Sequence, residues 1–189
     1  MTCWFTGGDL PAARATLGAL VKDQPADLAP HLTLIRLASQ QGDIDGALAL
    51  AFIDLDHFKS INDNHGHEAG DQVLRCAARR LVTTLRASDS LLRWGGEEFL
   101  LIMPDTDMQQ AHLALERIVG QGLGLRPDGA PLTASIGLAE RRCDQVGDYR
   151  DLLELADKRM YYAKTGGRNR LCAMEPDAVL QQGSLALSG

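Results

Sequence analysis

The chain has 189 residues, 45% hydrophobic and 23% charged, which suits one globular domain of ordinary size plus a short appendage. Its 19 basic and 25 acidic residues leave a formal charge of −6, which excludes the dense basic surface of a non-specific nucleic-acid binder. A polyphosphate ligand stays compatible with that charge, because a few local cations outweigh a negative average.

No stretch approaches the roughly 18 to 20 apolar residues of a bilayer span, and Met1 to Phe5 runs into Gly7-Gly8-Asp9 rather than a secretory core. A cytoplasmic chain with no membrane and no nucleic-acid partner is expected. Cys3, Cys76, Cys143 and Cys172 are scattered without zinc-type spacing, and are expected as reduced thiols, with Cys76 and Cys172 in elements that pack.

Residues 1–46 read as a helical lead-in. Gly8-Asp9-Leu10-Pro11-Ala12-Ala13 is echoed 34 residues later by Gly42-Asp43-Ile44-Asp45-Gly46-Ala47. That period resembles a tetratricopeptide pair, but stacking needs three or more repeats, so a stranded remnant and an ordinary lead-in both stay open. Ala47 to Leu55 is a nearly continuous apolar run ending in acids, the pattern of a strand buried on both faces. His57 to Gly70 is polar and reads as a short helical turn followed by loop. From Asp71, the three- and four-residue recurrence of Val73, Leu74, Ala77, Ala78, Leu81, Val82 and Leu85 predicts an amphipathic helix to about Arg86.

Ser90 to Trp94 and Glu97 to Met103 are β-prone runs joined by Gly95-Gly96, a tight hairpin. A helix follows, capped by Thr106 or Asp107 and running to about Val119. Leu132 to Ala139 is a strand, Asp148 to Thr165 a helix and Arg170 to Met174 a last short strand. Residues 175–189 lack periodicity and read as a tail. The order from Ala47 implies an α+β fold with a βαββαβ core, a mixed, mostly antiparallel sheet with helices packed on one face, in a ferredoxin-like palm.

Asp54-Leu55-Asp56 ends the buried strand. Period-two geometry sends both carboxylates to one face, where they repel unless a cation or proton intervenes. A strand running out into solvated acids has the same text. The hairpin turn is followed at once by Glu97 and Glu98; beside the Asp54 strand, Glu97 and Asp54 can share hard ions such as Mg²⁺, whereas alone they are surface glutamates.

Arg93-Trp94-Gly95-Gly96-Glu97-Glu98-Phe99 resembles the signature of the GGDEF diguanylate cyclases in its GGEEF form. The resemblance continues through Phe52 to Asp63, Gly66 to Asp71, Thr133 to Gly137, and Ala156 to Lys164 with Gly167-Arg168-Asn169, in family order over 47–174. It implies a nucleotidyl-cyclase type palm that condenses two GTP into cyclic di-GMP and releases pyrophosphate.

By that resemblance two Mg²⁺ ions, with Mn²⁺ able to substitute, would be held by Asp54, Glu97 and the Leu55 carbonyl. Glu97 and Lys59 would be catalytic. Asn62 and Asp71 would read guanine, with His67 near the substrate; Asp71 as a helix N-cap is the competing reading. Lys59, Lys164 and Arg168 would engage the triphosphate, where solvated surface cations are the default for each alone. One GTP per site implies a homodimer for catalysis. Arg86 and Asp89 resemble the family's RxxD inhibitory site for cyclic di-GMP, with a helix-end salt bridge as the competing reading.

The chain departs from the family where a segment like DxLTGLxNRR is usual, since Phe5-Thr6-Gly7-Gly8 is at best a fragment of it, and His57 stands where aromatics are common. No sensory or receiver domain is recognisable. The competing function is a catalytically silent receptor for cyclic di-GMP or GTP, against which intact Asp54, Lys59 and Glu97 argue.

Overall fold

A computed structural model of the chain describes residues 47–174. The expected helical lead-in, with its repeat-like echo, and the expected tail lie outside the described residues. Eight elements follow in order: β1 (Leu48–Leu55), α1 (Phe58–Thr83), β2 (Ser90–Gly95), β3 (Glu98–Pro104), α2 (Met108–Gln121), β4 (Ala134–Glu140), α3 (Tyr149–Thr165) and β5 (Arg170–Cys172). They build one five-stranded sheet in the order β2-β3-β1-β4-β5. All neighbours pair antiparallel except β4 and β5, which are parallel. The mixed, mostly antiparallel palm is the fold expected.

β1 is central and every residue of it is buried. Its alternation splits the apolar run between two cores. Ala49, Ala51, Ile53 and Leu55 pack with Val73, Leu74, Ala77 and Leu81 of α1 and Ala111, Leu115 and Ile118 of α2. Leu48, Leu50 and Phe52 pack with Leu152, Leu153, Ala156 and Met160 of α3. The helices therefore cover both faces, which corrects the expected one-faced arrangement. The physical reason is in β1 itself: a strand apolar at every position but Asp54 needs a cover on each side.

The second correction concerns His57 to Gly70, which is helical rather than loop. Phe58 and Ile61 are buried 3 residues apart and seat a first segment, while the polar residues between them face solvent. At Gly66 (φ 81°, ψ 163°) the helix breaks and restarts, so Gly66 kinks α1 instead of ending it. Val82 is 57% exposed rather than packed, and α1 stops at Thr83, before Arg86. Asp107 caps α2 by accepting from the Gln110 N–H at 2.8 Å, whereas Thr106 donates to the Pro104 carbonyl. Asp148 caps α3 through the Arg150 N–H at 2.8 Å. Cys76, Cys143 and Cys172 are free thiols, as expected; Cys76 is exposed, with its Sγ 3.9 Å from the Leu123 carbonyl.

α3 lies on β4 through one glycine. A Cβ on Gly137 would come within 2.1 Å of both the Ala156 carbonyl oxygen and the Met160 nitrogen, which are backbone atoms. The buried guanidinium of Arg159 locks the same contact. It donates to the Leu138 carbonyl at 2.9 Å and to both Asp144 carboxylate oxygens at 2.8 and 2.7 Å. Gly137→Ala should therefore lift α3 off the sheet, since backbone cannot rotate away. The expected cost is about 1–3 kcal/mol, the range for overpacking a core. Thermal unfolding should show a Tm lower by at least about 2 °C; an unchanged Tm would contradict this contact.

Candidate functional site

The site is built at the C-terminal end of β1. Asp54 is 3% exposed, opposite Glu98 on β3 and Ser135 on β4. A carboxylate so placed needs a counter-charge, and α3 supplies it. The Lys164 Nζ stands 2.6 Å from the Asp54 Oδ2. Burial pushes the Asp54 carboxyl up to about 6; Lys164 pulls against that rise, and Glu97 and Glu98 add to it.

The hairpin brings Glu97 to the same place. The Leu55 N–H donates to the Glu97 carbonyl at 3.2 Å, which ties the hairpin tip to the end of β1. The tip is further held by Arg93, whose Nε and Nη2 donate to the Gly96 carbonyl at 3.2 and 2.8 Å. Behind it, Trp94 meets Phe52 edge-on, with ring centroids 5.3 Å apart.

Between β1 and α1 the chain turns at His57, whose φ of 60° is left-handed. The turn aims the start of α1 into the site, and no side chain caps its first N–H groups. Free N–H groups at a helix start form a ready anion cradle. The result is an open cleft of about 560 Å³, lined by Asp54, Leu55, Lys59, Glu97, Lys164 and Arg168 among others. Six of the residues singled out in the sequence thus meet around one volume. Lys59 and Arg168 are exposed on it, and Lys164 is partly so.

Asn62, His67 and Asp71 do not line that cleft. Asn62 is half-buried against Gly70, where a Cβ would fall 2.0 Å from its Oδ1. His67 and Asp71 are exposed on α1 beyond the Gly66 kink. Asp71 is inside the helix, so its reading as an N-cap does not hold. The Gly66 kink and the bare Gly70 surface let this second segment lie beside Asn62.

Arg86 and Asp89 form the turn after α1, away from the cleft. The Asp89 carboxylate accepts the Arg86 main-chain N–H at 2.8 Å, so the turn is held by backbone rather than by a salt bridge between the two side chains. Both line a separate pocket of about 280 Å³ that also includes Gln110 and Arg117 of α2. Arg117 had no signal in the sequence beyond its place on the polar side of α2.

Asp56 was also misjudged by spacing. It is 2% exposed and does not line the cleft. Its Oδ1 accepts from Ser135 at 2.7 Å, and its Oδ2 from Thr133 at 2.7 Å and from the Asn169 N–H at 2.9 Å. The two acids of the strand end are thus divided between the cleft and the frame.

The donors at the cleft are hard oxygens: the Asp54 and Glu97 carboxylates and the Leu55 carbonyl. That set suits Mg²⁺ or Mn²⁺, and the Lys164 ammonium on Asp54 shows that a cation fits the position. Among the described residues no group of three or more His, Cys, Asp or Glu converges. The set is therefore a partial shell of the kind Mg²⁺ completes with phosphates and water. Among the described residues no helix is long and apolar enough to cross a membrane.

Comparison with known proteins agrees with this geometry. The family model for the diguanylate cyclase GGDEF domain matches residues 32–170. The chain is 45% identical over 125 residues to the probable diguanylate cyclase DgcC of Escherichia coli, covering 64% of this chain and 33% of DgcC. It is 38% identical over 130 residues to the diguanylate cyclase DgcP of Pseudomonas aeruginosa, covering 67% of this chain and 19% of DgcP. The chain thus spans a third or less of these relatives. Among solved structures, the coiled coil and GGDEF domain of DgcB from Caulobacter crescentus, crystallised with c-di-GMP, superposes with a TM-score of 0.68 at 29% identity, over 87% of this chain and 93% of that one. With its signature hairpin tied to the acidic end of β1, the chain belongs to the GGDEF domain family.

Proposed function

We propose that the chain carries a diguanylate cyclase that joins two GTP molecules into cyclic di-GMP with release of two pyrophosphates. The observation that carries this reading is the hairpin bond from the Leu55 N–H to the Glu97 carbonyl, which sets Glu97 beside Asp54 on a cleft that also holds Lys59, Lys164 and Arg168.

The triphosphate would lie over the start of α1, where uncapped N–H groups and Lys59 receive phosphate oxygens. Lys164 adds a compact charge, and Arg168 a planar fork that grips two oxygens at once. Asn62 and Asp71 would read the guanine edge, with His67 close to the same nucleotide: a carboxylate accepts from N1–H and N2–H, and an amide donates to an acceptor on the ring. Two divalent ions held by Asp54, Glu97 and the Leu55 carbonyl would neutralise the charge that develops at the α-phosphate. The 3′-hydroxyl of one GTP attacks the α-phosphorus of the other, and Glu97 accepts its proton. One cleft holds one nucleotide, so two chains must meet about a two-fold axis with the substrates between them. A reaction fed by GTP belongs to the cytoplasm.

Incubation with GTP and Mg²⁺, followed by chromatography, should yield cyclic di-GMP and pyrophosphate. Glu97→Gln should fold normally and form at least about 100-fold less product, because an amide neither neutralises the ions nor takes the proton. Full activity in the folded variant would remove Glu97 from the mechanism; retained nucleotide binding with no product from the parent would leave a silent receptor.

Guanine reading makes a separate expectation. Adenine offers a donor where guanine has its O6 acceptor, and lacks the N2 donor. Unpaired buried polar groups cost about 1–3 kcal/mol each, so GTP should bind at least about fivefold more tightly than ATP. Equal calorimetric affinities would refute Asn62 and Asp71 as readers.

The pocket at Arg86 and Asp89 would take product, with Arg117 as a second guanidinium on the same volume. Cyclic di-GMP should then inhibit without competing with GTP, and Arg86→Ala should weaken inhibition at least about tenfold, the loss of one charge-assisted contact. Inhibition that rising GTP overcomes, with Arg86→Ala inhibited like the parent, would place the product in the cleft instead.

A further inference from the structure

The turn that carries Arg168 is conformationally costly. Gly167, Arg168 and Asn169 have consecutive φ values of 117°, 63° and 45°. Only the first is a glycine, and a non-glycine residue in this region persists where its surroundings over-determine it. The end of α3 supplies two restraints: the Gly166 N–H donates to the Tyr162 carbonyl at 2.8 Å, and the Arg168 N–H to the Ala163 carbonyl at 3.0 Å. Neither holds Asn169, where the chain leaves the turn for β5. That restraint comes from Asp56, 113 residues earlier, whose Oδ2 accepts the Asn169 N–H at 2.9 Å.

Asp56 is itself fixed from the other side. Thr133 and Ser135, at the start of β4, donate to its two oxygens at 2.7 Å each. The Asp56 N–H donates to the Thr133 carbonyl at 2.9 Å. The carboxylate thus spans three segments: the end of β1, the entry to β4 and the turn into β5. Its partners are one main-chain N–H and two hydroxyls, all donors, and none is a cation.

We infer that Asp56 is a positioning residue for the substrate phosphates, holding the Gly166–Asn169 turn so that Arg168 faces the cleft, and that it is not a metal ligand despite its place two residues after Asp54. The inference rests on the proposed reading of Arg168 as a phosphate-binding group. It assigns the two acids of one strand end to different tasks: Asp54 meets cations, and Asp56 sets the shape of the site opposite them. An asparagine can replace it in this task, since its carbonyl oxygen still accepts from Asn169 and Thr133 while its amide donates to the Ser135 hydroxyl.

The test uses 3′-deoxy-GTP with Mg²⁺, which can bind without reacting, and compares the parent with Asp56→Ala, Asp56→Asn, Arg168→Ala and Asp56→Ala/Arg168→Ala by calorimetry. Asp56→Ala should weaken binding about tenfold, the loss of one charge-assisted phosphate contact. In the Arg168→Ala background the same change should cost less than about twofold, because it acts through the missing side chain. Asp56→Asn should bind nucleotide and Mg²⁺ like the parent. In the nucleotide-free protein, Asn169 amide exchange should accelerate in Asp56→Ala and not in Asp56→Asn. Multiplicative losses in the double variant, or an Asn169 amide as protected in Asp56→Ala as in the parent, would overturn the inference. Where Asp56→Ala does not fold, Asp56→Asn decides: a large loss of Mg²⁺ affinity makes Asp56 a metal ligand and overturns it. A parent that binds no guanine nucleotide counts against the proposed function, while Asn169 exchange still decides the anchoring.

Discussion

A carboxylate at the end of a strand covered on both faces cannot remain unpaired, and the arrangement around β1 follows from that constraint. Asp54 is held where burial opposes its charge and where Glu97 and Glu98 oppose it further. A buried anion of this kind survives by pairing or by taking a proton. The Lys164 ammonium at 2.6 Å meets the need from α3. Lys164 reaches Asp54 because α3 lies against β4 at Gly137, and it stays there because Arg159 fastens α3 to the Leu138 carbonyl and to Asp144. A side chain added at Gly137 would therefore act at a distance on the charge balance of the cleft.

The sheet order contributes the rest. With β1 between β3 and β4, the hairpin tip after β2 and the entry to β4 both reach the acidic end of β1. The parallel β5 then begins beside Ser135, which returns the chain from α3 to that same end. Three segments far apart in sequence converge on it: the hairpin by its backbone bond to Leu55, the β4 entry by Thr133 and Ser135, and the turn into β5 by Asn169. None of these contacts is a long side chain searching for a partner. All join backbone atoms or short side chains, the Asp56 carboxylate and two hydroxyls, so the geometry loses little rotamer freedom when it forms.

What the sequence revealed divides along the range of the interaction involved. The strands were legible as short apolar, β-prone runs and α3 by apolar residues at the helical period, and Gly95-Gly96 marks a turn on its own. The first segment of α1 was not, because only Phe58 and Ile61 face the core and the intervening polar text reads as loop. Helices on both faces were implied by the unbroken apolar run of β1, yet the usual one-faced palm was expected instead. The cleft residues were found through a multi-block resemblance that fixes positions and not contacts. Asp56 shows the limit. Period-two geometry predicts that it shares a face with Asp54, but its donors lie 77 to 113 residues away, and no local pattern tells which of two acids so close in sequence they will reach.

The Asp54–Lys164 pair also constrains how substrate enters under the proposed mechanism. An ammonium and a divalent ion compete for one carboxylate, and each has a second partner in the phosphates. Arrival of nucleotide with its ions gives Lys164 an alternative anion at the moment Asp54 gains a stronger cation. The net charge of the cleft changes little during that exchange, so neither the buried carboxylate nor the ammonium is left uncompensated. An ion arriving without nucleotide would instead compete with Lys164 for Asp54, with Arg168 and Lys59 on the same cleft and only the Asp54 and Glu97 carboxylates to answer all four cations. Under the proposed mechanism the charges around Asp54 and Lys164 therefore favour ion and triphosphate arriving together.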